Sequence, residues 1–413
     1  MQRNKTLDCN NRLKALAVRT VRDCTFRKQV QYFGTMHQTE VLLPSGDEKY
    51  PSFWVRDAAM MAESGLIADA DLKRYIEIIA THGQNGAEAL TLQNGLCVPP
   101  YTIADHINYD AKPVFFPGTY QSGSDQGSGR YGYFPPFCDN YYFITMVGYY
   151  IEQSADRAIL NTQYNGLTLW QRMCLAFEGY NIDPHSQLCV SDAQKYTVDW
   201  GFTDTIKKSG KLLMASLLRY NAALTMHRLQ QDQRYAEIAR TIKKNVVETF
   251  YDKASGWFYS ATEIGHQFDV WATAYAVYLG IATEQNTLQA LYRAYVDGTA
   301  VVDGYVRQIL TDHDHAADSA WESAVSAYNR YQNGGYWSTP TGWYAYALYR
   351  YNGKIDILED FLRHTEQYDE VGSPFEWINA ACDAYDGAHY GTSGVLPYIA
   401  LQRILQEQQA LFQ

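Results

Sequence analysis

No apolar run in the sequence reaches the roughly 18 residues needed to cross a bilayer, so a helical membrane span is not expected. Basic residues are in deficit, with 34 Lys and Arg against 45 Asp and Glu and a net charge of −11. An acidic surface repels the phosphate backbone, which argues against a nucleic-acid partner. The seven cysteines (Cys9, Cys24, Cys97, Cys138, Cys174, Cys189 and Cys382) are odd in number, scattered, and never spaced C-x-x-C. That pattern speaks against a disulfide framework and against a structural zinc site. The opening MQRNKTLDCNNRLKAL lacks the apolar core and small-residue cleavage site of a secretory signal, and a cytoplasmic protein is the expectation. No Pro/Gly/Ser linker or low-complexity tract interrupts the chain, so residues 1–413 are expected to form a single domain. G-x-S-x-G, Walker and Rossmann motifs are also missing, which removes support for serine-nucleophile and nucleotide chemistry; no cofactor is expected.

What the sequence has in excess is tyrosine: 35, more than its 16 Phe and 9 Trp combined. Tyr and Trp join an apolar face to a polar tip, which suits a rich core or a cleft that stacks on flat, partly polar ligands such as sugar rings. The dominant apolar periodicity is helical. Leu72, Tyr75, Ile76 and Ile79 share one helical face; so do Leu213, Leu217, Tyr220 and Leu224, and again Tyr235, Ile238, Ile242, Val246 and Phe250. Twelve helices are predicted, at 9–26, 56–67, 70–83, 139–153, 163–178, 211–229, 233–251, 269–280, 285–297, 341–352, 354–368 and 392–408. Alternating strands are scarce, with a hairpin expected within 34–55 and a short strand within 187–200.

The helices fall into six pairs whose first members start near 57, 139, 211, 269, 341 and 392, between 51 and 82 residues apart. Six such hairpins can close into a toroid whose inner helices all begin at one mouth. The segments leading into them are FWVRD (53–57), YFPPFCDN (133–140), VDWGF (198–202), HQFDV (266–270), NGGYWSTPTG (333–342) and FEWIN to GAHYGTS (375–393). Each carries an aromatic and most add a carboxylate or amide. A carbohydrate site needs that mixture, with flat faces for C–H surfaces and fixed polar groups for hydroxyls.

These segments resemble the six-hairpin glycosidase superfamily, the (α/α)6-barrel enzymes that include glucoamylases, trehalases, debranching-type glucosidases and bacterial rhamnosidases. The resemblance covers about residues 50–400 and implies an all-α (α/α)6 toroid of six helical hairpins with short β-hairpin insertions. FWVRDAAMM is similar to the W-x-R-D segment whose Arg and Asp hold the sugar, implying Trp54, Arg56 and Asp57 as binding residues. VDWGF is similar to the Asp-Trp segment that supplies the general acid, and GSPFEWIN with GAHYGTSGVLPYIAL resembles the closing segment that carries the base.

Glycoside hydrolysis with inversion uses one carboxyl to protonate the leaving oxygen and a second, roughly 6.5–9.5 Å away, to activate water on the opposite face. Asp199 is predicted as the acid, because Trp200 and Phe202 flank it and apolar neighbours penalise the charged form. Glu376, between Phe375 and Trp377, is predicted as the base. Further substrate contacts are expected from Asp139, Asn140, Trp200, Glu322, Tyr336, Trp337, Trp377, His389 and Tyr390, with N-capping an equal role for Asp139 and Asn140. Trp343 is as well suited to core packing as to stacking, and Glu322 competes for a catalytic role. The run Asp312, His313, Asp314, His315 and Asp318 has metal-ligand residue types without metal-motif spacing, so no metal is expected.

The expected activity is therefore that of an inverting, exo-acting glycoside hydrolase on a short, α-linked oligosaccharide or glycoside. Two alternatives remain open: an (α/α)6 sugar 2-epimerase, a class that works through paired histidines, and an inverting disaccharide phosphorylase, which would need a cationic phosphate pocket.

Overall fold

The computed structural model describes residues 2–32, 35–123, 126–310 and 320–410. Twelve α-helices lie within them. They are α1 (Gln2–Cys24), α2 (Val55–Ala62), α3 (Asp69–Ile78), α4 (Cys138–Ser154), α5 (Leu169–Glu178) and α6 (Leu213–Gln230), then α7 (Gln233–Phe250), α8 (Val270–Tyr278), α9 (Gln285–Val296), α10 (Thr341–Asn352), α11 (Asp356–Gln367) and α12 (Gly391–Ala410). None is long and apolar enough to cross a membrane. The seven cysteines are all free.

The even-numbered helices form a closed inner ring, in which α2, α4, α6, α8, α10 and α12 each touch the next and α12 returns to α2. The odd-numbered helices pack outside it, α1 on α12, α3 and α5 on α4, α7 on α6, and α9 and α11 on α10. Burial follows this division. All nine residues of α8 and all eight of α2 are buried, as befits helices covered on every side. Outer helices bury a stripe, such as Tyr235, Ala239, Ile242, Val246 and Phe250 on α7, and face solvent otherwise. One continuous apolar core runs from Cys9 to Ile404. The fold is the expected (α/α)6 toroid, and each inner helix begins within two residues of its predicted start.

Local differences from expectation trace to turn chemistry. The first helix stops at Cys24, and Thr25–Tyr32 pairs antiparallel with Thr35–Leu42, so the hairpin lies earlier than expected. Residues 163–168 are not helical. Gln163–Tyr164 and Leu167–Thr168 form a hairpin around Asn165-Gly166, both at positive φ, the preferred pair for a tight two-residue turn. Helix α5 then follows Thr168, whose side chain and that of Gln171 form a reciprocal capping box.

Two small sheets tie the loops at the ring's mouth. Phe53–Trp54 pairs with His106–Ile107, which pairs with Pro113–Val114. A five-stranded sheet joins 301–302, 305–307, 336–337, 377–378 and 385–386 in that order, and it sets Trp337 opposite Trp377. Side-chain contacts confirm that the inner helices begin at the same end. Arg56 of α2 lies 3.9 Å from Asp139 of α4, the Thr339 and Thr392 hydroxyls meet at 2.8 Å between the starts of α10 and α12, and Tyr390 ahead of α12 reaches Asp57 of α2.

The α10–α12 contact depends on Gly342. A Cβ there would come within 2.5 Å of the Leu396 carbonyl oxygen, which is backbone and cannot swing aside. Gly342→Ala is expected to destabilise the fold by about 1–3 kcal/mol through overpacking, measurable as a lowered denaturation midpoint.

Candidate active site

The loops at the ring's mouth enclose a cavity of about 200 Å³. Three carboxyls face it: Asp57, Asp204 and Glu376. Asp57 sits in the first turn of α2, where its Oδ1 accepts from Tyr390 Oη at 3.3 Å and its Oδ2 lies 3.8 Å from Arg56 Nε. Burial lifts its pKa to about 7 despite the Arg56 charge. Asp204 follows a one-turn 3-10 helix, Gly201–Thr203, and accepts a hydrogen bond from the Gln332 amide at 2.7 Å. Burial raises it to about 7 as well, with Arg56 and Gln332 pulling the other way and the Asp105 and Glu376 charges adding to the rise. Glu376 is 2% exposed. Its oxygens both lie 2.8 Å from the Tyr50 hydroxyl, and Lys49 Nζ lies 3.2 Å from Oε2. Burial raises its pKa, and Lys49 and Tyr50 favour the ionised form against that.

Both cations at the cavity are already engaged. Lys49 also bridges to Asp386 at 2.6 Å. Arg56 is anchored from below by Asp105, whose other oxygen is 2.8 Å from His106 Nδ1, and the His106 ring stacks on Trp54 at 4.3 Å. Gly201 lets this happen, because a Cβ at that position would occupy the space of the Arg56 guanidinium. Aromatic walls complete the cavity, with Trp54, Phe202, Trp337 and Tyr390 buried and Tyr50, Tyr131 and Tyr331 partly open. The combination of flat walls, fixed carboxyls and a positioned guanidinium can hold a polyol ring and exchange protons with it.

Of the residues singled out from sequence, Trp54, Arg56, Asp57, Trp337, Glu376 and Tyr390 line the cavity. The others do not. Asp199 is the main correction. It is buried away from the cavity, with Oδ1 accepting from the Thr203 hydroxyl at 2.9 Å and Oδ2 paired with Lys208 Nζ at 3.0 Å. Asp269, which caps α8, lies 3.8 Å from the same ammonium. Trp200 is inside the ring, donating to Tyr142 Oη at 2.9 Å. Asp139 is fully buried beneath Arg56, and burial with the Asp105 charge pushes its pKa well up. Asn140 accepts from the Ile103 amide at 2.7 Å. Glu322 is exposed and fastens a loop by accepting from Gly265 N and Gln267 Nε2. Tyr336 is buried one strand position from Trp337, and alternation along the strand points it to the other face. Trp377 is half-buried outside the cavity lining, and His389 sits at φ 49° with its ring 3.5 Å from Asp23. Trp343 packs on Tyr275 at 4.3 Å within the ring. The Asp312–Asp318 run lies outside the described residues; among those described, no three His, Cys, Asp or Glu side chains converge as a metal site.

The residues missed are chiefly Asp204, Lys49, Tyr50 and Tyr331. Asp204 is five positions beyond Asp199 in the same segment, and the intervening turn decides which of the two aspartates faces the cavity. Lys49 and Tyr50 precede the FWVRD segment, but their partner Glu376 is 326 or 327 residues away, a pairing that no local pattern carries.

The Asp199–Lys208 pair gives a structural test. Lys208→Met leaves a buried carboxylate without its partner and is expected to lower stability by about 3–5 kcal/mol, read from equilibrium denaturation.

No family model and no curated protein matches the chain. Solved structures do. A rhamnosidase from Klebsiella oxytoca with rhamnose bound superposes with a TM-score of 0.59 at 11% identity, over 96% of this chain and 64% of its own, so this chain spans less than two thirds of that enzyme. Cellobiose 2-epimerase from Spirochaeta thermophila DSM 6192 gives 0.59 at 12% identity, covering 100% of this chain and 99% of the other. A GH63 mannosylglycerate hydrolase from Thermus thermophilus in complex with glucose gives 0.54 at 13% identity, over 94% and 99%. With its closed ring of six inner and six outer helices among the described residues, the chain has an (α/α)6 toroid fold, the fold of these solved structures.

Proposed function

We propose that the protein is an inverting glycoside hydrolase that removes the terminal sugar of a short oligosaccharide or glycoside, with Asp204 as general acid and Glu376 as general base. The observation that carries this reading is that three buried carboxyls meet in one aromatic-walled cavity and one of them, Asp204, holds a proton near neutrality beside a neutral amide. In this mechanism Asp204 protonates the glycosidic oxygen as the bond to the anomeric carbon breaks. Water attacks that carbon from the opposite face and gives its proton to Glu376, whose ionised form Lys49 and Tyr50 favour. Asp57 and Arg56 hold hydroxyls of the bound sugar, and Trp54 and Trp337 pack against its ring. Asp204 takes the role expected of Asp199, because Asp199 is committed to Lys208. The engagement of Lys49 and Arg56 by carboxylates favours hydrolysis over phosphorolysis, since neither cation is left for a phosphate.

A second reading, a sugar 2-epimerase, draws support from the end-to-end match with cellobiose 2-epimerases, one from Bacillus thermoamylovorans B4167 reaching a TM-score of 0.60. Proton transfer at a sugar carbon by paired histidines needs imidazoles in the cavity, and no histidine lines it among the described residues. Deuterium incorporation from D2O into recovered cellobiose would favour the epimerase.

Asp204→Asn and Glu376→Gln are each expected to lower kcat by about 10²–10⁴-fold while ligand binding persists, with released sugar as the assay; full activity in either variant removes that residue from its role. NMR of the first product anomer should show inversion, and retention would overturn the two-carboxyl scheme. Because Asp204 must be protonated, kcat/KM should fall as pH rises through about 7.

The same carboxyls link stability to pH. Asp57 and Asp204 keep their protons in the folded chain up to about 7, against the ordinary 3.8. Between about pH 4 and 7 the folded state therefore binds more protons than the unfolded one, and stability declines as pH rises across that window. Asp204→Asn should melt at a higher temperature than the parent at pH 8, with the difference shrinking toward pH 4.

A further inference from the structure

Resting on the glycosidase reading, we propose that Tyr120 is the platform for the leaving group, so that the site selects glycosides whose leaving group presents a flat, partly apolar face, a second sugar ring or an aryl group. The cavity has a polarity of depth. Its three carboxyls are nearly sealed from solvent, with Asp57 and Glu376 at 2% exposure and Asp204 at 8%. A terminal sugar bound against them leaves its aglycone pointing outward. Tyr120 lines the same cavity and is 50% exposed, which places it at the rim. Its ring meets Trp54 edge-on at 6.0 Å and lies 6.1 Å from His106, so it continues the wall that begins at the stacked Trp54–His106 pair.

An exposed tyrosine on a loop is ordinarily a poor platform, because ordering it on binding costs entropy. This one is held in advance. Asn108 Nδ2 donates to the Tyr120 carbonyl at 3.3 Å and to Ser122 Oγ at 2.7 Å, and Ser52 Oγ donates to Asn108 Oδ1 at 2.8 Å. Gln126, 2% exposed, clamps the loop from inside, its amide nitrogen donating to the Pro113 and Gly123 carbonyls and its oxygen accepting from Phe115 N. Near the tyrosine, Gly118 has a φ of 70° and no side chain, and the Tyr131 ring packs directly on its backbone. The loop thus offers a fixed aromatic face to solvent at the rim of the cavity. Aromatic faces favour C–H-rich and π surfaces.

The test compares leaving groups on one sugar. The 4-nitrophenyl α- and β-glycosides of glucose, mannose, galactose and rhamnose are assayed beside the glycosyl fluorides of the same sugars and anomers, because fluoride is too small to reach the rim. For the pair the parent protein cleaves, Tyr120→Ala should lower kcat/KM for the nitrophenyl glycoside about five- to tenfold more than for the fluoride, chiefly through KM. Tyr120→Phe should keep the parental ratio, since the ring face and not the hydroxyl makes the contact. Equal losses on both substrates in Tyr120→Ala, or a Tyr120→Phe variant that behaves like Tyr120→Ala, overturn the proposal. If the parent cleaves no pair, the hydrolase reading itself fails and takes this inference with it.

Discussion

The closure of six helical hairpins into a ring determines where chemistry can happen in this protein. Each of the first five inner helices is followed by an outer one that returns the chain to its starting end, and α1 covers the last, α12, so all six inner helices start at one mouth. Their amino termini present unpaired N–H groups and the positive end of the helix dipole, an environment that favours carboxylates by about 0.3–1 kcal/mol each. Removing a carboxylate from water costs several kcal/mol. The second term wins at Asp57, in the first turn of α2, and burial has the same effect on Asp204, which lies ahead of α6; both keep their protons to about 7. The ring thereby concentrates acidic groups and at the same time withdraws the water that would ionise them.

The buried charges divide by what opposes them. Asp199 is opposed by Lys208, and the same ammonium serves Asp269, so this group joins the approach to α6 with the cap of α8. Asp105 is opposed by Arg56 and His106 and, from below, fixes the guanidinium at the cavity. Such fully partnered groups hold geometry. Asp204, by contrast, meets a neutral amide, and Glu376 keeps one flank open to the cavity while Lys49 and Tyr50 hold the other. Groups with incomplete electrostatic compensation are those free to exchange protons with a ligand.

Much of the architecture was legible from periodicity. Inner helices buried on all sides and outer helices with one apolar stripe differ in composition, and both repeat at the helical period, so all twelve could be located. The errors fell where short-range turn chemistry outweighs periodicity. Asn165-Gly166 turns a hairpin where the apolar pattern alone reads as helix, and the alternation from Thr25 to Tyr32 takes over directly after α1. Within the site, the helix-start segments supply Trp54, Arg56, Asp57, Trp337, Glu376 and Tyr390 to the cavity lining, because the ring brings helix starts together. The same logic overreached at Asn140, Trp200 and Tyr336, which lie in equivalent segments but turn their side chains into the core.

The order of apolar and aromatic residues along the chain was sufficient to determine the helices, their pairing and the mouth at which their loops converge, since each of these depends on local period and on short connections. Which aspartate of the VDWGFTD segment faces the cavity was decided only in three dimensions. A single helical turn separates Asp199 from Asp204, and the choice between them rests on a lysine that claims the first and a glutamine, 128 residues further on, that orients the second. Partners so distant in the chain leave no mark on local sequence, because their contact exists only once the ring has closed.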